Sequence, residues 1–303
     1  DTEIPNRFLF NPNPYLLSPL LNHKEALIKI SYDDVRNFRI NLFKNKEKKN
    51  IHNFLWLNLV DRKNKNETIQ KIIREWIGKY SKYTKGIWDE DLTSLRIISW
   101  ISNADLILNT SDKDFNRSFC KNIIRQINFI KNNINNLSDE NKKVSSISLL
   151  VLSGLVFKEY YINYSLGLKE LKKFVYNNFD DNGFPINRNF EKLLTFVQYF
   201  ILIKEWIKSA QETVPEYLED IIEKNLTCIH SIKTPNNQLP LFNGAKITKL
   251  NQIEKYLEGF KSKNKNSNFG GLFKIKHKNH FLLIDIDKPP QKKFSKSYQS
   301  GPL

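Results

Sequence analysis

Residues 270–290 read GGLFKIKHKNHFLLIDIDKPP. Two apolar runs, 271–276 and 280–287, are joined at Lys278 and Asn279, which suit a turn. The spacing predicts a β-hairpin whose second strand is closed by the DKPP segment. Two strands cannot make a stable sheet by themselves, so the hairpin reads as the opening of a β domain. The end of the chain, SYQSGPL, reads as a cut through that domain.

Upstream of Asn264 the periodicity changes from strand-like to helical. From His52 to Phe260, apolar residues recur at three- and four-residue spacing. They predict helices near 52–61, 67–80, 92–109, 115–136, 141–160, 164–178, 190–209, 215–231 and 249–260. The breaks fall at Gly86, at DDNGFP (180–185), at Pro215 and at TPNN (234–237), all turn or stop signals. A long series of such hairpins builds either a solenoid or a closed toroid.

Within this series, residues 88–100 read WDEDLTSLRIISW. Asp91 or Thr93 is expected to cap a helix beginning near Leu92, with Asp89, Glu90 and Asp91 at its positive end. Arg96, Trp100 and Asn103 form a narrow polar and aromatic stripe beside the apolar one. Two roles fit it: a boundary arginine whose stem covers a tryptophan, or a binding wall offering a ring and a cation to an acidic ligand.

The 303 residues can bury a sizeable core, and 40% hydrophobic with 13% aromatic residues marks the chain as globular rather than disordered. No apolar run is long enough to span a membrane. DTEIPNRF lacks signal-peptide character, and with no methionine anywhere Asp1 is not expected to be the translation start. The net charge of +16 would attract polyanions, but most of it is lysine scattered among asparagines. No nucleic-acid-binding signature accompanies it, so nucleic acid is not the expected partner. Cys120 and Cys228 lack CxxC spacing and read as buried free thiols, so no metal or other cofactor is expected. His23 and His52 have no partners in sequence. His230 falls at a helix C-terminus, and His277 and His280 flank the hairpin turn.

Several local patterns follow one another in a familiar order. They are FLWLNL (54–59), WDEDLTSLRIISWI (88–101), LSGLVF (152–157), DDNGFPINRN (180–189), VPEYLEDIIEKNL (214–226), LPLFNG (239–244) and the hairpin at 270–290. Together they resemble the heparinase II/III-like polysaccharide lyases of bacteria, over nearly the whole chain. The resemblance implies a mainly α fold. An incomplete (α/α) toroid of helical hairpins over 1–263 would be followed, over 268–303, by the beginning of an antiparallel β-sandwich. It implies an acidic, uronate-containing polysaccharide as partner, and the periplasm or cell envelope as location. It also implies β-elimination, in which a base removes the proton beside the uronate carboxyl group while that carboxylate is neutralised and the leaving oxygen is protonated.

On that resemblance, Arg96, Trp100 and Arg188 would face the substrate cleft, with Asn243 at its mouth as a further donor. A simple loop corner is the other reading of Asn243, since Asn and Gly tolerate positive φ. The chain departs from the family where an Asn-His pair and a tyrosine are usual, reading NKKVSSISLL (141–150) and INRNFEKLL (186–194) instead. Tyr298 is the tyrosine nearest the segment that enters the cleft from the β domain, and is the candidate catalytic acid or base. Two other functions remain: a non-catalytic binder of acidic glycans, and a helical-repeat scaffold for protein partners.

Overall fold

The computed structural model describes residues 51–60, 66–246, 250–258, 270–277 and 280–286. The chain is mainly α with a small antiparallel sheet. Its helices are α1 (Asn66–Tyr80), α2 (Glu90–Ser102), α3 (Ala104–Leu108), α4 (Lys113–Asn133), α5 (Glu140–Val156), α6 (Tyr161–Asn178), α7 (Phe190–Ser209), α8 (Glu216–Ile232) and the short α9 (Glu254–Glu258). Strands β1 (Leu272–His277) and β2 (His280–Asp285) follow. The helices match the sequence expectation closely from 66 to 232. Three segments differ, the expected 249–260 helix being a 3-10 turn at Leu250–Ile253 followed by the short α9. Leu55–Leu59 is a 3-10 turn rather than an α-helix, and the stretch predicted as 92–109 is broken at Asn103, whose amide turns back to the Ser99 carbonyl at 2.9 Å.

Helix starts are fixed by aspartates. Asp89, Asp112 and Asp139 cap α2, α4 and α5, accepting from the backbone N–H of Asp91, Phe115 and Lys142 at 3.2, 2.7 and 3.0 Å. The cap of α2 is therefore Asp89, not Asp91 or Thr93, and the helix begins at Glu90. Lys142, in the first turn of α5, reaches Asp89 at 2.5 Å and Glu90 at 2.9 Å. Although burial opposes its charge, these bonds hold its pKa above the ordinary lysine value.

Contacts divide the chain into two compact units, Asp1–Lys169 with Glu205–Glu212, and Glu170–Lys204 with Thr213–Leu303. In the first, α2 and α5 are buried nearly all round, and their serines permit close approach: Ser94 and Ser146 hydroxyls lie 3.4 Å apart. Gly154 of α5 continues that logic, since a Cβ there would sit 2.2 Å from the Tyr164 backbone nitrogen. Phe54, Trp76, Trp100 and Phe119 form an aromatic cluster at centroid distances of 5.2 to 5.9 Å.

In the second unit, Phe174, Phe179, Phe196 and Phe200 pack together. The DDNGFP turn is held by the Asp180 carboxylate, which accepts from Asn182 and Phe184 N–H at 2.9 and 2.8 Å. The hairpin pairs Leu272 with Asp285, Phe273 with Ile284 and Ile275 with Leu282. Alternation gives it two different faces. Leu272 is buried and Asp285 half-buried on one, while Phe273, Ile275, Leu282 and Ile284 are exposed on the other.

Candidate functional site

Arg96 lies at the centre of the first unit, with no exposed surface. Its Nε donates to Gln126 Oε1 at 2.8 Å, and its Nη1 to the carbonyls of His52 and Ile87 at 3.0 and 3.2 Å. Nη2 donates to the Thr93 hydroxyl at 3.0 Å, and the guanidinium carbon stands 4.5 Å from the centroid of the Trp76 ring. The planar fork thus joins three chain segments through neutral acceptors and a ring face. Burial pushes its pKa down to about 9, which leaves the group charged at neutral pH.

This corrects the expectation that Arg96 and Trp100 form a cleft wall. Trp100 is also fully buried, ring to ring with Phe54, Trp76 and Phe119. A side chain with no exposed surface cannot meet a polysaccharide without the core opening. The arginine is a structural tie, and it needs no internal carboxylate because four of its N–H groups find polar acceptors. His52 is likewise a core residue, accepting the Trp76 indole N–H at Nδ1 over 3.0 Å.

Arg188 and Asn243, in the second unit, are brought together. The Asn243 amide donates to the Arg188 carbonyl at 3.1 Å, and the Asn189 amide donates to the Asn243 carbonyl at 2.8 Å. Arg188 and Asn243 both have positive φ, 58° and 54°, so each sits at a corner of its loop. The Arg188 guanidinium is 8% exposed; its Nε donates to the Gly270 carbonyl at 3.1 Å and its Nη2 to the Asp285 carboxylate. The arginine expected to hold a substrate anion thus holds an internal one, tying the DDNGFPINRN turn to β2. Gly270 is required at this junction, because a Cβ there would fall 2.1 Å from the Phe184 ring.

Beside the end of α8 lies a cavity of about 340 Å³ lined by residues of the following turn and of the hairpin, including His230, Lys233, Asn237, Lys274 and Phe281. Its lining contains no carboxylate. Burial first, then the neighbouring charges of Lys233 and Lys274, lower the pKa of His230. The sequence reading placed His230 at the helix end and did not connect it with Lys233 three residues on, and no spacing rule links it to Lys274. Asp285 was also missed. Its signal is visible in HFLLIDID, where an acid occupies the inward register of Phe281 and Leu283.

Cys120 and Cys228 are buried free thiols, as their isolation implied, and burial pushes the Cys228 thiol above its ordinary range. Among the described residues, no group of three or more His, Cys, Asp or Glu is placed to hold a metal ion, and no helix is long and apolar enough to cross a membrane. Tyr298 lies outside the described residues.

With this geometry in hand, solved structures show what the fold is like. The chain is similar to a crystal structure of heparinase III, with a TM-score of 0.55 over 64% of this chain and 33% of that one at 17% identity. A heparinase III gene product gives 0.59 over 78% of this chain and 45% of that one, at 18% identity. A heparan sulfate lyase mutant, HepC from Pedobacter heparinus, gives 0.58 over 85% and 45%, at 14% identity. The chain therefore has a heparinase III-like polysaccharide lyase fold, and it spans a third to under half the length of these structures. No protein-family model matches it, and no curated protein matches it.

Proposed function

We propose that the chain is part of a polysaccharide lyase acting by β-elimination on an acidic, uronate-containing polysaccharide. The likeness to heparinase III and heparan sulfate lyase structures carries this reading. The +16 charge supports it, since a polyanion is the partner such a surface attracts. On this reading residues 1–263 form the toroid-like part and 268–303 open a β-sandwich. The apolar outer face of the hairpin, Phe273, Ile275, Leu282 and Ile284, is the surface such a second layer would cover. Arg188 positions the 180–189 turn, Asn243 donates an amide N–H to a uronate carboxylate at the cleft mouth, and Tyr298 serves as acid or base.

A second reading, a glycan binder without catalysis, is favoured by one observation. Where the family carries its Asn-His pair, this chain has Ser145, Ser146 and Ser148, all buried. Mass analysis of glycan fragments distinguishes the two. Elimination yields fragments one water lighter than hydrolysis does, whereas retention of an acidic glycan with no fragments selects the binder.

A further inference from the structure

The cavity at the end of α8 has a composition that the fold does not require. Three groups capable of positive charge, His230, Lys233 and Lys274, line it without an acid among them. The C-terminal end of a helix carries roughly half a negative charge, which suits one nearby cation. Lys274 takes that role, donating from Nζ to the Ser231 carbonyl at 2.5 Å, and lies 5.5 Å from the centroid of Phe281. Lys233 and His230 are not accounted for in this way. Lys233 follows the last helical residue, half-buried, and among the described residues no carboxylate pairs with it. Crowding like charges around a partly buried imidazole costs free energy in the empty site and returns it when an anion enters.

Size narrows the ligand. A cavity of about 340 Å³ is far larger than an inorganic ion needs, and it falls at the small end of ligand pockets, roughly 300–1,000 Å³. Phe281 contributes an apolar ring to the lining, and Asn237 and Thr234 contribute polar groups from the turn. The Thr234 hydroxyl is already engaged with Gln238, bonding its backbone carbonyl at 3.1 Å and its N–H at 3.2 Å, so that it fixes the turn.

We propose that this pocket binds one anionic sugar unit, its sulfate or carboxylate held by Lys233 beside His230 and its ring lying against Phe281. That the ligand is a sugar rests on the glycan reading above; that it is an anion rests on the pocket alone. The site involves none of Arg188, Asn243 or Tyr298.

The test follows the His230 imidazole by NMR in the whole chain, its resonance assigned by loss in His230→Gln. Glucosamine 6-sulfate, glucuronate, inorganic sulfate and neutral galactose are each titrated in. The sulfated sugar or the uronate raises the His230 pKa, galactose leaves it unchanged, and Lys233→Glu weakens the response about tenfold or more. Which of the two anionic sugars acts identifies the source of the charge. Silence to both overturns the proposal, and a response to inorganic sulfate equal to that of the sugars overturns its sugar part. Unfolding temperature confirms that Lys233→Glu is folded. Retention of a uronate polymer is measured on the same samples. Polymer retained while His230 stays silent removes the pocket and leaves the proposed function. A shifted His230 with no polymer retained keeps the pocket and removes that function.

Discussion

Arg188 and Asp285 form an ion pair that joins the turn after α6 to strand β2, with the Arg188 Nε also on the Gly270 carbonyl at 3.1 Å. Its two side chains are 8% and 25% exposed, so this clasp matters more than a surface ion pair would. Asp285→Asn is expected to cost about 1.5–3 kcal/mol, the range for hydrogen bonds to charged groups. The measurement is amide exchange: protection should fall in 272–277 and 280–285 before it falls in α7.

Arg96→Ala should lower stability by about 3 kcal/mol or more, since it empties a core site and strands the His52 and Ile87 carbonyls and the Gln126 amide oxygen. Arg96→Lys should recover little of this, because an ammonium cannot reproduce the planar fork. Denaturant unfolding checks both variants. Unchanged stability in Arg96→Ala would contradict the structural role.

Two glycines should respond in opposite directions. Gly154→Ala places a methyl against the Tyr164 backbone and should destabilise by about 1–3 kcal/mol or prevent folding. Gly78, at an exposed position of α1, has nothing within 4 Å of the added Cβ, so Gly78→Ala should stabilise by about 0.4–1 kcal/mol. Thermal unfolding of the pair, measured side by side, decides this.

His230 has a folded-state pKa below its ordinary value of 6.5. In the window beneath 6.5 the unfolded chain binds more protons than the native one, so this group adds stability as pH rises and removes it as pH falls. Between about pH 7.5 and about pH 5, the wild type should therefore lose more stability than His230→Gln. An anion in the neighbouring pocket should narrow that difference.

Much of the architecture was legible because period and punctuation agree: α7 begins and ends where 190–209 was read, and the hairpin register follows its alternation. The role of Arg96 was not legible. Periodicity separates the faces of a helix but does not say whether the second face meets water or another layer of protein. In α2 both do the latter, Ile98 and Ile101 on one side and Arg96 and Trp100 on the other. The acceptors that settle the matter, His52 and Gln126, lie 44 and 30 residues from Arg96. Thr93 was the local hint, three residues back on the same face and able to accept. Asn243 was readable as a loop corner but Arg188 was read only as a cleft cation, and their mutual bond spans 55 residues, farther than any spacing rule reaches.

Ultraviolet absorbance of the unsaturated uronate left by β-elimination tests the proposed function most directly. The protein is incubated with a panel of uronate-containing polymers and with a neutral glucan. The account predicts a steady rise in absorbance on at least one acidic polymer and none on the glucan. No rise on any member of the panel, from protein shown to be folded, would contradict it.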